Sequence, residues 1–360
     1  MSNHKILKIA QIAPLWENIP PKRYGGTERV LFNLTEGLIK RGHNVTLFAA
    51  GTARTSANLI SVYPRPLVDA GIPWTNITYP LLNLTAAFDL EKKFDIIHVH
   101  LNKASDYLAL PLARYIKDKI VFTLHFPYPF SSKTQDRHRV FQKYKDLNYV
   151  SISNAQRQGG KNLNWLGTVY NGIDTKIYKF NPNPKNYFIW VGRFNPDKGV
   201  REAVMAAKKA KVNLILAGKL NPKGEPEDYA YYKAQIKPLV DGKQILHIKE
   251  LDDKLKNHLM GNAIGFLNPI KWNEPFGLVM TESMATGTPV ISFRAGAAPE
   301  LIKHGKTGFL VKDTSEMSQK IRQIKKISRQ DCRRRVEKYF SSDAMTENYV
   351  KIYKKIQRLR

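Results

Sequence analysis

The chain has 360 residues, 42% hydrophobic and 11% aromatic, with a formal net charge of +28 and a single cysteine, Cys332. That length exceeds the roughly 250–300 residues one core normally fills, so two domains are expected, and the apolar content excludes a disordered chain. One cysteine excludes a disulfide framework and suggests a reducing compartment, so the Asn-x-Thr sequons at Asn33, Asn44, Asn76 and Asn83 read as accidental.

No apolar run approaches the ~18–20 residues needed to cross a bilayer. The stretch from Ile6 to Leu15 is too short and too interrupted for a signal peptide and reads as a first strand. The expected location is the cytoplasm. From Ser318 to Arg360 there are 14 Lys/Arg against 4 Asp/Glu. Solvated helix faces are the plainer reading of this excess. The sharper one is a peripheral footing on the anionic inner face of a membrane, worth about 1 kcal/mol per basic residue near the surface. Nucleic acid is not an expected partner, because no recognised module accompanies the charge.

Strand-like and helix-like segments alternate, as in parallel sheets covered by helices. A first strand, ILKIAQIAP, leads through Gly25-Gly26 into an amphipathic helix carrying Val30, Leu31, Leu34, Leu38 and Ile39 and stopped by Gly42. A strand from Asn44 to Ala50 follows, then an irregular Pro-rich stretch to about Pro80. Further strands are predicted at Asp95–His100, Ile120–His125 and Tyr149–Ser153. Turn formers cluster from Asn171-Gly172 to Pro184, and the alternation restarts with YFIWVGR, VNLILAG, ILHI, AIGFLNP, TPVISF and TGFLV. The last forty residues read as helical. The predicted architecture is α/β, with two doubly wound, Rossmann-like domains at 1–172 and 173–338 and a C-terminal helix at 339–360. Ligands of such sheets collect at the carboxyl ends of the strands.

Several chemistries are excluded. No Gly-x-Gly pair exists, so the dinucleotide fingerprint is missing, and Glu300 stands where a P-loop ending in Gly305-Lys306-Thr307 would need glycine. No Asp-x-Asp pair exists to hold a divalent metal on a nucleotide sugar. His98 and His100 share a strand face without a third ligand nearby, and read as structural or polar-lining.

The most informative segment runs from Glu274-Pro275-Phe276-Gly277-Leu278 through Glu282 to Gly287-Thr288-Pro289-Val290-Ile291. Pro275 and Gly277 form a turn and a helix then begins, which puts Glu274 in the loop before it and Glu282 inside it. The first turn of such a helix offers unpaired N–H groups to an anion such as a diphosphate. Upstream, Arg193 and Lys198 follow the strand YFIWVG in the run Gly192-Arg193-Phe194 … Lys198-Gly199. Arg supplies a planar fork for phosphate oxygens and Lys a mobile point charge.

These motifs resemble the retaining glycosyltransferases of family four, with their Glu-x7-Glu pair and Gly-Arg…Lys-Gly element; the likeness covers nearly the whole chain and is sharpest in its second half. The resemblance implies a GT-B fold, in which two domains face a cleft and a C-terminal helix packs back on the N-terminal domain. It implies hexose transfer from a nucleotide diphosphate sugar, UDP-linked by default or GDP-mannose, to a hydroxyl of a glycan, glycolipid or metabolite. No metal or other cofactor is expected. By the resemblance Glu274, His125, Arg193 and Lys198 are catalytic, and Gly26, Arg193, Lys198, Phe276, Gly277, Leu278 and Glu282 bind the donor. The Gly25-Gly26 loop faces phosphates or acceptor, and His125 of VFTLHFP lies against the donor sugar, with His100 a weaker candidate. Gln244 to Leu251, with Asp252-Asp253 after it, corresponds to the base-binding strand and loop, but Lys249 or Glu250 stands where the family has glycine. Asn171-Gly172-Ile173-Asp174 matches a structural turn between domains. The rival readings are a nucleotide-sugar epimerase on a related fold, and a basic polyanion- or membrane-binding protein.

Overall fold

The computed structural model describes residues 5–21, 25–128, 136–218, 220–222, 224–248 and 252–359. The chain forms two compact units, one of Met1–Ile173 with Ser341–Arg360 and one of Asp174–Phe340.

The first unit is built on a fully parallel sheet of β1 (Lys8–Ile12), β2 (Asn44–Phe48), β3 (Asn58–Ile60), β4 (Ile96–Leu101), β5 (Ile120–Leu124), β6 (Tyr149–Ser151) and β7 (Trp165–Thr168). Its order is β3-β2-β1-β4-β5-β6-β7, so the winding reverses between β1 and β4. Every residue of β4 and β5 is buried, as a strand covered on both faces requires. The edge strands β3 and β7 escape sequence reading. They are three and four residues long, and their burial is mostly partial, which leaves no apolar run to notice.

The second unit repeats the plan with β8 (Phe188–Val191), β9 (Leu214–Ala217), β10 (Ile245–Ile248), β11 (Gly265–Asn268), β12 (Val290–Phe293) and β13 (Gly308–Val311). Its order is β10-β9-β8-β11-β12-β13, with the reversal between β8 and β11. Doubly wound sheets open their ligand crevice at such a reversal, beyond the carboxyl ends of the strands.

After the second unit the chain returns to the first as the helix Ser342–Arg358, as expected of the final helix. Met345, Tyr349, Ile352, Tyr353 and Ile356 form its buried stripe at helical spacing. It crosses the helix Gly26–Lys40 closely, because a Cβ on Gly37 would lie 2.2 Å from Thr346 Oγ1. Gly172 of the Asn-Gly turn packs against the start of the same helix, where a Cβ would lie 2.6 Å from Ser341 O.

Part of the C-terminal basic charge is neither a solvated face nor a membrane footing. Arg329 donates to the carbonyls of Asn181, Ala263 and Gly261 and to Thr288 Oγ1, and burial pulls its pKa down to about 10. Arg333 donates to the carbonyls of Tyr178 and Ala285, and Arg335 to those of Leu301 and Glu300. These guanidinium groups satisfy carbonyls at helix ends and loops, where their five donors and positive charge suit both the orphan acceptors and the helix dipole. Among the described residues no helix is long and apolar enough to cross a membrane.

Candidate active site

In the second unit the residues after β8 and β11 converge. Asn195 caps a short 3₁₀ turn, Pro196–Lys198, its Oδ1 accepting from the Lys198 N–H at 3.1 Å. Gly199 follows with φ 67°, and a Cβ there would lie 1.9 Å from the Pro269 carbonyl oxygen. Only glycine lets this loop close on the end of β11. The closure brings Lys198 Nζ to 2.5 Å from Glu274 Oε2 and 5.0 Å from the centre of the Trp272 ring. The two charged side chains are 22% and 15% exposed, so the pair is largely withdrawn from water.

Glu274 lies in the loop before the helix Leu278–Ala285, as the turn chemistry of Pro275 and Gly277 implies. Gly277 is the N-cap at φ 93°, and any Cβ there would strike Met280. Phe276 is buried and meets Phe340 edge-on at 6.0 Å, so its ring anchors the loop. Gly296 presses on the same loop from the far side of β12: its Cβ would lie 2.4 Å from Glu274 O, and Ala297 N donates to that oxygen at 3.0 Å.

Glu282 is inside the helix with its side chain 7% exposed. Tyr178 Oη donates to its Oε1 at 3.0 Å, and Lys256 Nζ lies 3.0 Å from its Oε2. The two carboxylates of the Glu-x7-Glu pair therefore have separate partners and separate surroundings. Arg193 is nearly half exposed and pairs with Glu225 at 3.2 Å and Asp228 at 3.7 Å, at the start of the helix Pro226–Tyr231. Lys198 and Arg193 thus leave one strand end toward different partners.

Tyr178, Lys256, Trp272 and Gly296 are absent from the sequence reading. Gly296, just beyond β12 in Arg294-Ala295-Gly296, was the one with a legible signal, since glycines after parallel strands often mark close backbone approach. On β10, His247 bonds Tyr232 Oη at 2.9 Å and stands edge-on to Phe194 at 4.8 Å. Lys249, Glu250 and Leu251, the expected start of a base-binding loop, lie outside the described residues.

In the first unit the loop after β1 and the ends of β4 and β5 gather at the reversal of the sheet. Gly25, at φ 152°, is the N-cap of the helix Gly26–Lys40, and a Cβ there would lie 2.6 Å from Pro21 Cβ. That helix carries its own acid in the first turn: Glu28 is 3% exposed, and burial pushes its carboxyl up to about 7. A carboxyl there suits a sugar hydroxyl better than a phosphate. His125 follows β5 with partial exposure, and desolvation by the packing around it holds its imidazole down to about 3. Its Nε2 is 2.9 Å from His100 Nδ1. His98 is fully engaged by Tyr353 Oη at 2.8 Å and Thr123 Oγ1 at 2.7 Å, a structural role that leaves it no free nitrogen for a metal.

Two parallel α/β units, each with its polar residues at the switch point of its sheet, define a GT-B protein. The family model for Glycosyl transferases group 1 matches residues 174–340, and that for Glycosyltransferase Family 4 matches residues 24–177. Among curated relatives, the chain is 26% identical to N-acetyl-alpha-D-glucosaminyl L-malate synthase of Bacillus anthracis, covering 93% of this chain and 95% of that one. It is 24% identical to phosphatidyl-myo-inositol mannosyltransferase of Mycobacterium leprae, over 85% of this chain and 83% of that one. Sucrose-phosphate synthase from Thermosynechococcus elongatus superposes with a TM-score of 0.75 at 19% identity, over 98% of this chain and 100% of that one. Anabaena HepE in complex with UDP and glucose superposes at 0.70 with 20% identity, over 96% and 98%. The chain belongs to glycosyltransferase family 4.

Proposed function

We propose that this glycosyltransferase moves a hexose from a nucleoside diphosphate sugar to an acceptor hydroxyl, with retention at the anomeric carbon and without a metal. The observation that carries this reading is the Lys198–Glu274 pair beside the N-terminus of the helix Leu278–Ala285. Lys198 is held ready to exchange its carboxylate partner for a diphosphate oxygen, and the helix N-terminus supplies aligned N–H groups at Gly277-Leu278. Stabilising charge that grows on a leaving group is commonly the largest catalytic effect. With Lys198, Arg193 and the helix end as donors, the diphosphate is served by protein groups alone.

Once released from Lys198, Glu274 accepts from sugar hydroxyls. Glu282, fixed by Tyr178 and Lys256, accepts from the ribose hydroxyls. The bond from the anomeric carbon to the phosphate oxygen breaks as the bond to the acceptor oxygen forms on the same face. The acceptor's proton passes to the departing diphosphate. UDP is the favoured carrier, in line with the UDP and UDP-glucose complexes of HepE, and GDP-mannose is the alternative. The acceptor is a hydroxyl of a glycan, a glycolipid or a small metabolite. The epimerase and polyanion-binding readings are not favoured, because both family matches are to transferases.

The test is a thermal-shift panel of UDP, GDP, ADP, dTDP and their sugars, with and without EDTA. A ligand that binds only the folded state raises its stability by RT ln(1 + [L]/Kd). A shift with one nucleotide, insensitive to EDTA and lost in Glu282→Ala, is the expected result. No shift with any nucleotide would overturn the reading.

A further inference from the structure

The polar chain behind His125 has a direction. Gln11, fully buried on β1, accepts at Oε1 from His100 Nε2 at 2.7 Å and donates from its own Nε2 to Tyr353 Oη at 3.0 Å. A neutral imidazole that donates from Nε2 carries a bare Nδ1. Burial keeps His100 neutral, its pKa well below the ordinary histidine value. Its bare Nδ1 must therefore accept from His125 Nε2, 2.9 Å away. On the other side Tyr353 Oη accepts from Gln11 and so gives its own proton to His98 Nδ1 at 2.8 Å. His98 then donates from Nε2 to Thr123 Oγ1 at 2.7 Å. With the Gln11 amide oriented this way every group is satisfied; turning it over would reverse all of these bonds together, so the amide sets the direction.

We propose that Gln11, His100 and Tyr353 are positioning residues that hold His125 in the Nε2–H tautomer, so that its Nδ1 offers a lone pair to a hydroxyl of the bound sugar substrate. The second half of this inference rests on the transfer reading above. Neutral His125 cannot neutralise a phosphate, and a bare nitrogen repels one. A hydroxyl is the group on a nucleotide sugar or glycan that it selects. The relay runs from the end of β5 through β4 and β1 to the C-terminal helix, so the chain's return to the first unit brings in Tyr353 to orient the Gln11 amide 342 positions away.

The first experiment needs no substrate. Long-range ¹H–¹⁵N correlation spectra of histidine-labelled protein near neutral pH assign the tautomer of His125. Nε2–H is expected, and Nδ1–H or a rapidly exchanging mixture overturns the relay while leaving the transferase reading standing. In Tyr353→Phe the Gln11 amide loses the partner that orients it, so a mixed His125 tautomer is expected. With it should come a fall in kcat of about fivefold, the worth of one hydrogen bond, at unchanged donor KM. A folded Tyr353→Phe protein that keeps the pure wild-type tautomer overturns the far end of the relay. Should that variant not fold, the wild-type spectrum decides. A correct tautomer in a protein that transfers no sugar and binds no nucleotide would instead remove the transfer reading and, with it, the assigned hydroxyl partner.

Discussion

Lys198 Nζ lies 2.5 Å from Glu274 Oε2, although 76 positions separate the two residues in the chain. Lys198 ends a single 3₁₀ turn and Glu274 lies in a loop, and the contact exists because Gly199 lets the first segment close on the end of β11 while Gly296 presses against the second. Lys198→Ala should lower kcat by roughly 10²–10³, the usual cost of removing one donor to developing anionic charge. Glu274→Gln should act on the same step. Because the residues touch, the double variant should lose less than the sum of the single losses. Steady-state transfer or donor hydrolysis measures both; a rate near wild type in either single variant would contradict the proposed roles.

Gly199 and Gly305 both have positive φ, at 67° and 75°, but only the first is hemmed in. A Cβ on Gly305 meets nothing within 4 Å, whereas one on Gly199 collides with the Pro269 carbonyl. Gly305→Ala should cost about 1 kcal/mol from backbone strain alone, and Gly199→Ala upward of about 3 kcal/mol. Urea midpoints separate the two; equal losses would show that the loop adapts.

Arg329 illustrates how basic charge can be internal. Arg329→Ala should destabilise by about 2–4 kcal/mol, since it strands the carbonyls of Asn181, Ala263 and Gly261 together with Thr288 Oγ1. Arg329→Lys should rescue little, because a compact ammonium cannot span four acceptors held in a fork. Neutralising the exposed Lys326 should change stability by less than about 0.5 kcal/mol, as surface substitutions usually do.

Two opposed sets of buried groups shape the pH dependence of stability, one carboxyl against three histidines. The folded pKa of Glu28, about 7, stands above its ordinary 4.5, so its contribution is fully present below 4.5 and is lost as pH rises through 7. The cost is on the order of 3 kcal/mol. His98, His100 and His125 are shifted the opposite way, to about 3 for His125. The unfolded chain then takes up protons first, and stability declines as pH drops below 6.5. Denaturant midpoints at pH 5, 6.5 and 8 should show wild type losing stability from pH 6.5 to 5, and Glu28→Gln gaining on wild type as pH rises from 5 to 8, because the amide has no proton to lose. A constant difference between the two would contradict the raised carboxyl.

The alternation of strands and helices made two parallel α/β domains legible, because buried parallel strands such as Ile120–Leu124 must be continuously apolar. The loop-helix geometry of Glu274 and Glu282 followed from Pro275, Gly277 and Gly287, whose backbone preferences act within a few residues. The short edge strands Asn58–Ile60 and Trp165–Thr168 had no such local mark. Nor did Lys256 and Tyr178, which reach Glu282 from distant segments.

Local physics therefore decided where strands, turns and helix starts fall, and with them the class of fold and the positions of both glutamates, since periodicity, glycine and proline act over a handful of residues. Long-range packing decided which charges meet. Lys198 faces Glu274 and Arg193 faces Glu225, although both cations follow one strand end. The same packing drew Tyr353 from the end of the chain to Gln11 near its start, and it spent several arginines of a basic tail on buried carbonyls. Pairing between distant side chains depends on the sheet order and the crossing of helices, and neither leaves a mark in the neighbourhood of the residues it joins.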